Sequence, residues 1–182
     1  LLKTYKPEPS MRLLQSIHQA DVDTFTWLAR MRYRDAAVRV ARVVSSTADG
    51  PLYVLAGVYF ILTQQWPIAQ VMALCFIVER LFYKVFKTLF KRNRPPEAIP
   101  GFKSAVKPSD QFSFPSGHTS AAFMVSCIMA YFFPPLAWVL FPWAACVGAA
   151  RVTLGVHFPT DILAGATMGS AVFYLVTSNI IL

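Results

Sequence analysis

His118, His157, Arg151 and Asp161 are the only histidine, basic or acidic side chains between residues 111 and 182. An ionisable group kept in so apolar a stretch is costly, and one that persists marks a functional site with a partner close by. His157 precedes Asp161 by four positions, and Pro159 between them is suited to opening a helix. A carboxylate in that first turn can reach back to the imidazole and hold it in one tautomer, as a nucleophile or base requires. The bland alternative is a buried polar cluster that staples two helices together.

Two further groups extend the pattern. Pro115-Ser116-Gly117-His118 reads as a turn opening a helix, which would offer backbone N–H groups and the Ser116 hydroxyl to an anion with His118 beside it. Alone, the same four residues make an ordinary helix cap. Upstream, Arg80, Lys84, Lys87, Lys91 and Arg94 recur at alternating spacings of four and three, which predicts one basic stripe along a helix. Pro95-Pro96 is expected to end that helix just past Arg94, leaving its guanidinium at a corner suited to bidentate phosphate binding, with Lys91 and Arg92 emerging among lipid phosphates. The combined chemistry is phosphate binding next to a nucleophile and an acid.

These residues need elements to hold them. With 55% hydrophobic and 14% charged residues, the 182-residue chain is too apolar for an ordinary soluble domain. Segments able to cross a membrane are expected from about Ser46 or Pro51 to Thr63, Trp66 to Phe90, Gly117 to Phe133, Leu136 to Ala150, and Pro159 to Leu182. In lipid, backbone groups must pair within their own segment, so these are helices and the fold is an all-α membrane bundle of about five spans. Residues 1–48 are amphipathic, with apolar positions from Leu13 to Met31 and Arg30, Arg32, Arg34, Arg39 and Arg42 nearby. They are expected either to lie on anionic headgroups or to pack on the bundle. The organisation is then a single membrane domain, 1–182, with an interfacial segment at 1–48 and a catalytic bundle at 49–182. Gly165 and Gly169 form a small-xxx-small pair that predicts tight internal packing. Cys75, Cys127 and Cys146 are odd in number and read as buried thiols, and residues 1–19 lack the apolar run of a signal peptide.

The motifs Lys87-x6-Arg94-Pro95, Pro115-Ser116-Gly117-His118 and Arg151-x5-His157-x3-Asp161 occur in order across residues 51–182. On them the chain resembles the type 2 phosphatidic acid phosphatases, a family that shares its site with vanadium-dependent haloperoxidases and bacterial acid phosphatases. The resemblance implies a lipid phosphatase acting on phosphatidic acid, phosphatidylglycerol phosphate or a polyprenyl diphosphate. It implies His157 as nucleophile, Asp161 orienting it and His118 as acid, with Lys87, Arg94, Arg151, Ser116 and the Gly117 amide on the phosphoryl oxygens. It implies no metal or other cofactor, and lipid and membrane as partners without nucleic acid. Ala150 stands where the family has Ser, so one hydrogen bond is expected to be missing, and five spans stand where integral members show six. The implied location is a bacterial inner membrane. Positive-inside reasoning turns the basic catalytic end to the cytoplasm, whereas relatives face the other way. A non-enzymatic binder of anionic lipids and a vanadate haloperoxidase are the competing classes.

Overall fold

The computed structural model describes residues 9–30, 34–108 and 110–181; Met31, Arg32 and Leu182, which enter the sequence expectations, lie outside them. Every regular element among the described residues is helical: α1 Pro9–Ala29, α2 Arg34–Ser46, α3 Gly50–Leu62, α4 Trp66–Phe90, α5 Pro95–Ala98, α6 Gly117–Phe132, α7 Ala137–Thr153 and α8 Pro159–Val176. A 3₁₀ turn, Pro134–Leu136, leads into α7, and a π turn, Thr177–Ile181, extends α8. Prolines set several starts: Pro51, Pro67, Pro95 and Pro159 all fall in first turns, where a missing N–H costs nothing.

The apolar segment ends at Phe90 as expected, but the helix does not carry the basic stripe on to Arg94, and the backbone shows why. Helix α4 stops at Phe90 because Lys91 turns left-handed, at φ 43° and ψ 37°, and its N–H closes on the Lys87 carbonyl. Arg94 therefore does not extend the basic stripe. It precedes α5 in extended conformation, and Pro95-Pro96 begins that helix instead of ending α4.

Helix α6 lies between α8, α7 and α4, and its closest neighbour is α8. A Cβ added at Gly165 would come within 2.5 Å of the Ser116 carbonyl oxygen, and one at Gly169 would collide with that of Ser120. The glycine pair thus serves internal packing, letting one backbone lie on the other. As a result the N-terminal ends of α6 and α8 meet, and the Ser116 N–H donates to the Asp161 carbonyl at 3.0 Å.

Burial is inverted relative to a water-soluble domain. Glu79, Lys87, Arg94, Arg151, His157 and Asp161 are buried, while Leu62 and Trp138 are 77% and 87% exposed among many other outward apolar side chains. Such a surface suits lipid. Pro134–Thr153 and Pro159–Asn179 are each long and apolar enough to cross a membrane. Helix α3, at 13 residues, reaches only about 20 Å of the ~30 Å hydrocarbon core.

The N-terminal segment is two helices, and both rest on the bundle. Phe25 of α1 packs edge-on against Phe158 and Phe102, at centroid distances of 5.7 and 4.9 Å. From α2, Ala41 and Ser45 are buried, as is Ala48 just beyond it. Of the two expectations for residues 1–48, packing on the bundle describes these faces, while Trp27, Val40 and Val43 remain exposed.

Candidate active site

The connection from α7 to α8 carries His157. Gly155, at φ 78°, makes the turn that releases it from α7, and a side chain there would strike the Phe102 ring. His157 is 2% exposed. Burial first, and then the charges of Arg94 and Arg151, outweigh the neighbouring Asp161 and push its imidazole down to about 4, so the ring is neutral near pH 7. Its Nε2 lies 3.5 Å from an Nη of Arg94.

The partnership with Asp161 is looser than the spacing predicts. His157 Nδ1 is 3.7 Å from Asp161 Oδ2, beyond hydrogen-bond length, and this buried nitrogen has no hydrogen-bond partner among the described residues. Asp161 is held by others: Oδ2 accepts the Phe158 N–H at 2.7 Å, and Oδ1 accepts from Arg92 at 2.8 Å. Arg92 therefore does not emerge among lipid phosphates. It points inward because two buried carboxylates, Asp161 and Asp21, attract it.

Lys87 and Arg94 converge although they sit on different elements. Asp110, in the loop before α6, joins them through Oδ1, at 2.9 Å from Lys87 Nζ and 2.5 Å from an Arg94 Nη. Its Oδ2 accepts from the Tyr83 hydroxyl, whose ring lies under Arg80 and Lys87. Burial opposes ionisation of Asp110, but hydrogen bonds from Tyr83, Lys87 and Arg94 prevail and hold its carboxyl at about 2. Arg94 also donates to the Val156 carbonyl at 2.6 Å, tying this cluster to the residue before His157.

Ser116 and Gly117 form the start of α6. Ser116 is fully buried and its hydroxyl shares a hydrogen bond with Thr119 at 3.0 Å. A Cβ on Gly117 would lie 2.8 Å from the Tyr83 ring, so glycine is what lets that ring approach the helix end. His118 is the more accessible histidine, its side chain 25% exposed and its Nε2 sharing a hydrogen bond with Asp49 at 3.0 Å.

Arg151 reaches from the end of α7 to α2, where an Nη donates to Ser45 Oγ at 2.9 Å; its buried Nε has no hydrogen-bond partner among the described residues. Ala150 itself packs against Ala41, Leu154 and Val156. The hydroxyl on Arg151 thus comes from α2, not from the preceding position.

All eight expected site residues are brought to one end of the bundle, and three of them, Gly117, His118 and Arg151, line two cavities that His118 shares. One, of about 600 Å³, runs between α3, α4 and α6 and is lined by apolar groups such as Tyr53, Gly57, Met72, Phe76 and Ala121. The other, of about 380 Å³, is polar, lined by Arg42, Ser45, Asp49, Lys107 and Arg151. Sequence reasoning missed Asp21, Asp49, Asp110 and the inward role of Arg92. A signal existed for two of them: Asp49 is the only acidic residue between Asp35 and Glu79, and Asp110 the only one between Glu97 and Asp161.

Comparison with known proteins gives a consistent picture. The family model described as PAP2 superfamily matches residues 65–180. The chain is 37% identical over 141 residues to phosphatidylglycerophosphatase B of Bacillus subtilis (strain 168), covering 69% of this chain and 64% of that protein. It is 29% identical over 106 residues to undecaprenyl-diphosphatase of Sulfolobus acidocaldarius, covering 57% and 51%. The matched segments thus span about half to two thirds of these relatives' lengths. Among solved structures, a transmembrane PAP2 type phosphatidylglycerolphosphate phosphatase from Bacillus subtilis superimposes with a TM-score of 0.72 at 28% identity, covering 90% of this chain and 85% of that one. LpxE of Aquifex aeolicus, at 22% identity and a TM-score of 0.76 over 86% and 93% of the two chains, shares the fold.

Proposed function

Because the chain belongs to the PAP2 superfamily, we propose that it is a multi-pass inner-membrane lipid phosphate phosphatase that works through a phosphohistidine and without metal. The observation that carries this reading is the position of His118, where an apolar cavity and a polar, basic one meet. A lipid phosphate has that division within one molecule: its chain fits the apolar cavity, and its phosphate the basic side that Arg151 lines, with His118 between them. The substrate class is a lipid phosphomonoester or diphosphate, such as phosphatidic acid, phosphatidylglycerol phosphate or a polyprenyl diphosphate. The whole chain acts as one domain, with five helices crossing the membrane and residues 1–48 flanking the catalytic end.

In this reaction the neutral His157 attacks phosphorus through Nε2, the atom that faces Arg94. The N–P bond forms as the P–O bond to the lipid breaks, and the departing oxygen takes a proton from His118. Lys87, Arg94 and Arg151, with Ser116 and the Gly117 amide, hold the phosphoryl oxygens as charge shifts among them, the effect that contributes most in phosphoryl transfer. To do so Lys87 and Arg94 exchange the Asp110 carboxylate for phosphate. Asp161 stabilises the ring as it becomes cationic. Water, deprotonated by His118, then attacks phosphorus and frees the histidine.

The test is a panel of lipid phosphates and diphosphates with detection of released phosphate, run on the parent and on His157→Ala. Release by the parent, reduced on the order of 10,000-fold or more in the variant, is expected from the loss of a nucleophile. Equal release by both proteins, or none by the parent on any lipid, overturns the reading. The second outcome returns the chain to the class of anionic-lipid binders.

A further inference from the structure

Arg92 lies outside the phosphate-binding set, yet it joins three parts of the molecule. One Nη donates to Asp161 Oδ1 and to Thr160 Oγ1, both at 2.8 Å. The other donates to Asp21 Oδ2 at 2.6 Å. Asp21 comes from α1, is 3% exposed, and also accepts the Thr160 N–H at 3.0 Å and the Thr160 hydroxyl. The Thr160 N–H is one of the unpaired donors at the start of α8, so a side chain from α1 caps the helix that carries Asp161. The guanidinium carbon stands 4.4 Å from the Phe158 ring centroid, and His18 and Phe25 of α1 pack on the same ring. His18 Nδ1 is also 3.4 Å from Arg92.

Two facts give this cluster a bearing on the reaction. Both oxygens of Asp161 are engaged by groups other than His157, so Arg92 and the Phe158 N–H fix where the carboxylate stands. In addition, Asp21 and Asp161 are two buried carboxylates that share the Arg92 guanidinium, so the position of one is tied to the other. Asp161 lies beside the imidazole that becomes cationic when its Nε2 bonds to phosphorus.

We propose that Arg92 and Asp21 are positioning residues for phosphoryl transfer: Arg92, anchored to α1 through Asp21, holds Asp161 where it can receive the Nδ1–H of the charged His157. Docking of the N-terminal helix is thereby part of the catalytic geometry. The proposal rests on the phosphatase reading, and activity of the parent separates the two: a parent that releases no phosphate refutes that reading, whereas an active parent with indifferent variants refutes this one.

The experiment measures kcat and KM for Arg92→Gln, Arg92→Lys, Asp21→Asn and the double variant Arg92→Gln/Asp21→Asn, as full chains in detergent. Arg92→Gln is expected to lower kcat on the order of 100-fold with KM within about twofold, since the phosphate cations are untouched and only the alignment of Asp161 is lost. Lysine restores charge but cannot bridge two carboxylates as a fork does, so Arg92→Lys recovers about tenfold of that loss. Asp21→Asn costs about tenfold, as outer partners of site residues commonly do. It costs nothing further in the Arg92→Gln background, because both act through one contact chain. The proposal is overturned if Arg92→Gln keeps kcat within threefold of the parent, if the loss falls on KM alone, or if the two losses multiply. Should Arg92→Gln fail to fold, Arg92→Lys decides: a kcat within threefold of the parent overturns the proposal.

Discussion

The two histidines occupy contrasting halves of one site. His157 is buried in the α7–α8 connection, where Arg94, Arg92, Phe158, Thr160 and Asp21 form a closed web of polar contacts around it and Asp161. His118 lines both cavities, a quarter exposed and, among the described residues, hydrogen-bonded only to Asp49, itself half exposed. The difference follows from what each must do. A nucleophile gains from fixed aim and exclusion of water. An acid that later activates water must meet both the departing lipid oxygen and solvent.

The strongest way to break this division is to change the leaving group. His118→Ala is expected to lose on the order of 100- to 10,000-fold in kcat/KM on a natural lipid phosphate, the usual contribution of general acid catalysis. With a nitrophenyl ester, whose leaving oxygen needs no proton, most of that loss should vanish. His157→Ala should gain nothing from the same substrate, because no better leaving group replaces an absent nucleophile. If both variants respond alike in a comparison of rates on the two esters, the halves are not chemically distinct.

A smaller effect tests what the His118 half opens onto. Gly57 lines the apolar cavity, and a Cβ added there meets nothing within 4 Å. Gly57→Trp is therefore tolerated by the backbone but fills space assigned to the lipid chain. The expected result is a KM about tenfold higher for long-chain substrates, equivalent to about 1.4 kcal/mol, with little change for a short-chain analogue. Equal effects on both chain lengths would detach the cavity from substrate binding.

How far the two halves were legible in the sequence differs in the same direction. The motif residues, the helical class and the Gly165/Gly169 contact can be read from spacing, because each depends on residues near one another in the chain or on strong helical periodicity. Asp110 meeting Lys87 and Arg94, Asp49 meeting His118, and Ser45 meeting Arg151 join separate elements, and no local pattern encodes such pairings. That the basic stripe breaks before Arg94 escaped because the break depends on Lys91 adopting a left-handed conformation, which lysine has no special tendency to do. Arg92 was misread for a related reason: a basic residue at a helix end suits lipid phosphates equally well until Asp21 is known to be behind it.

Acid should act on the closed half first. His157 sits at about 4 in the folded protein against an ordinary 6.5, so between those values the unfolded chain binds a proton that the folded one does not. Stability therefore falls as pH drops from about 6.5 towards 4, by at most about 3 kcal/mol from this residue. Asp110 behaves in the same sense at lower pH: held at about 2 against 3.8, it contributes stability that is fully present above 3.8 and is lost as pH falls through 2. Thermal midpoints in detergent between pH 7 and 4 should decline for the parent and decline less for His157→Gln. Equal slopes would mean that the buried imidazole is not held neutral.

The smallest expected effect is that of a chelator. Saturating EDTA should change phosphate release by less than about twofold, because Lys87, Arg94 and Arg151 supply the positive charge that a divalent ion brings to phosphoryl transfer elsewhere. The nearby carboxylates are also committed: Asp110 to Lys87 and Arg94, Asp49 to His118, and Asp161 to Arg92. Activity abolished by EDTA and restored by Mg²⁺ would refute the assignment of that charge to Lys87, Arg94 and Arg151.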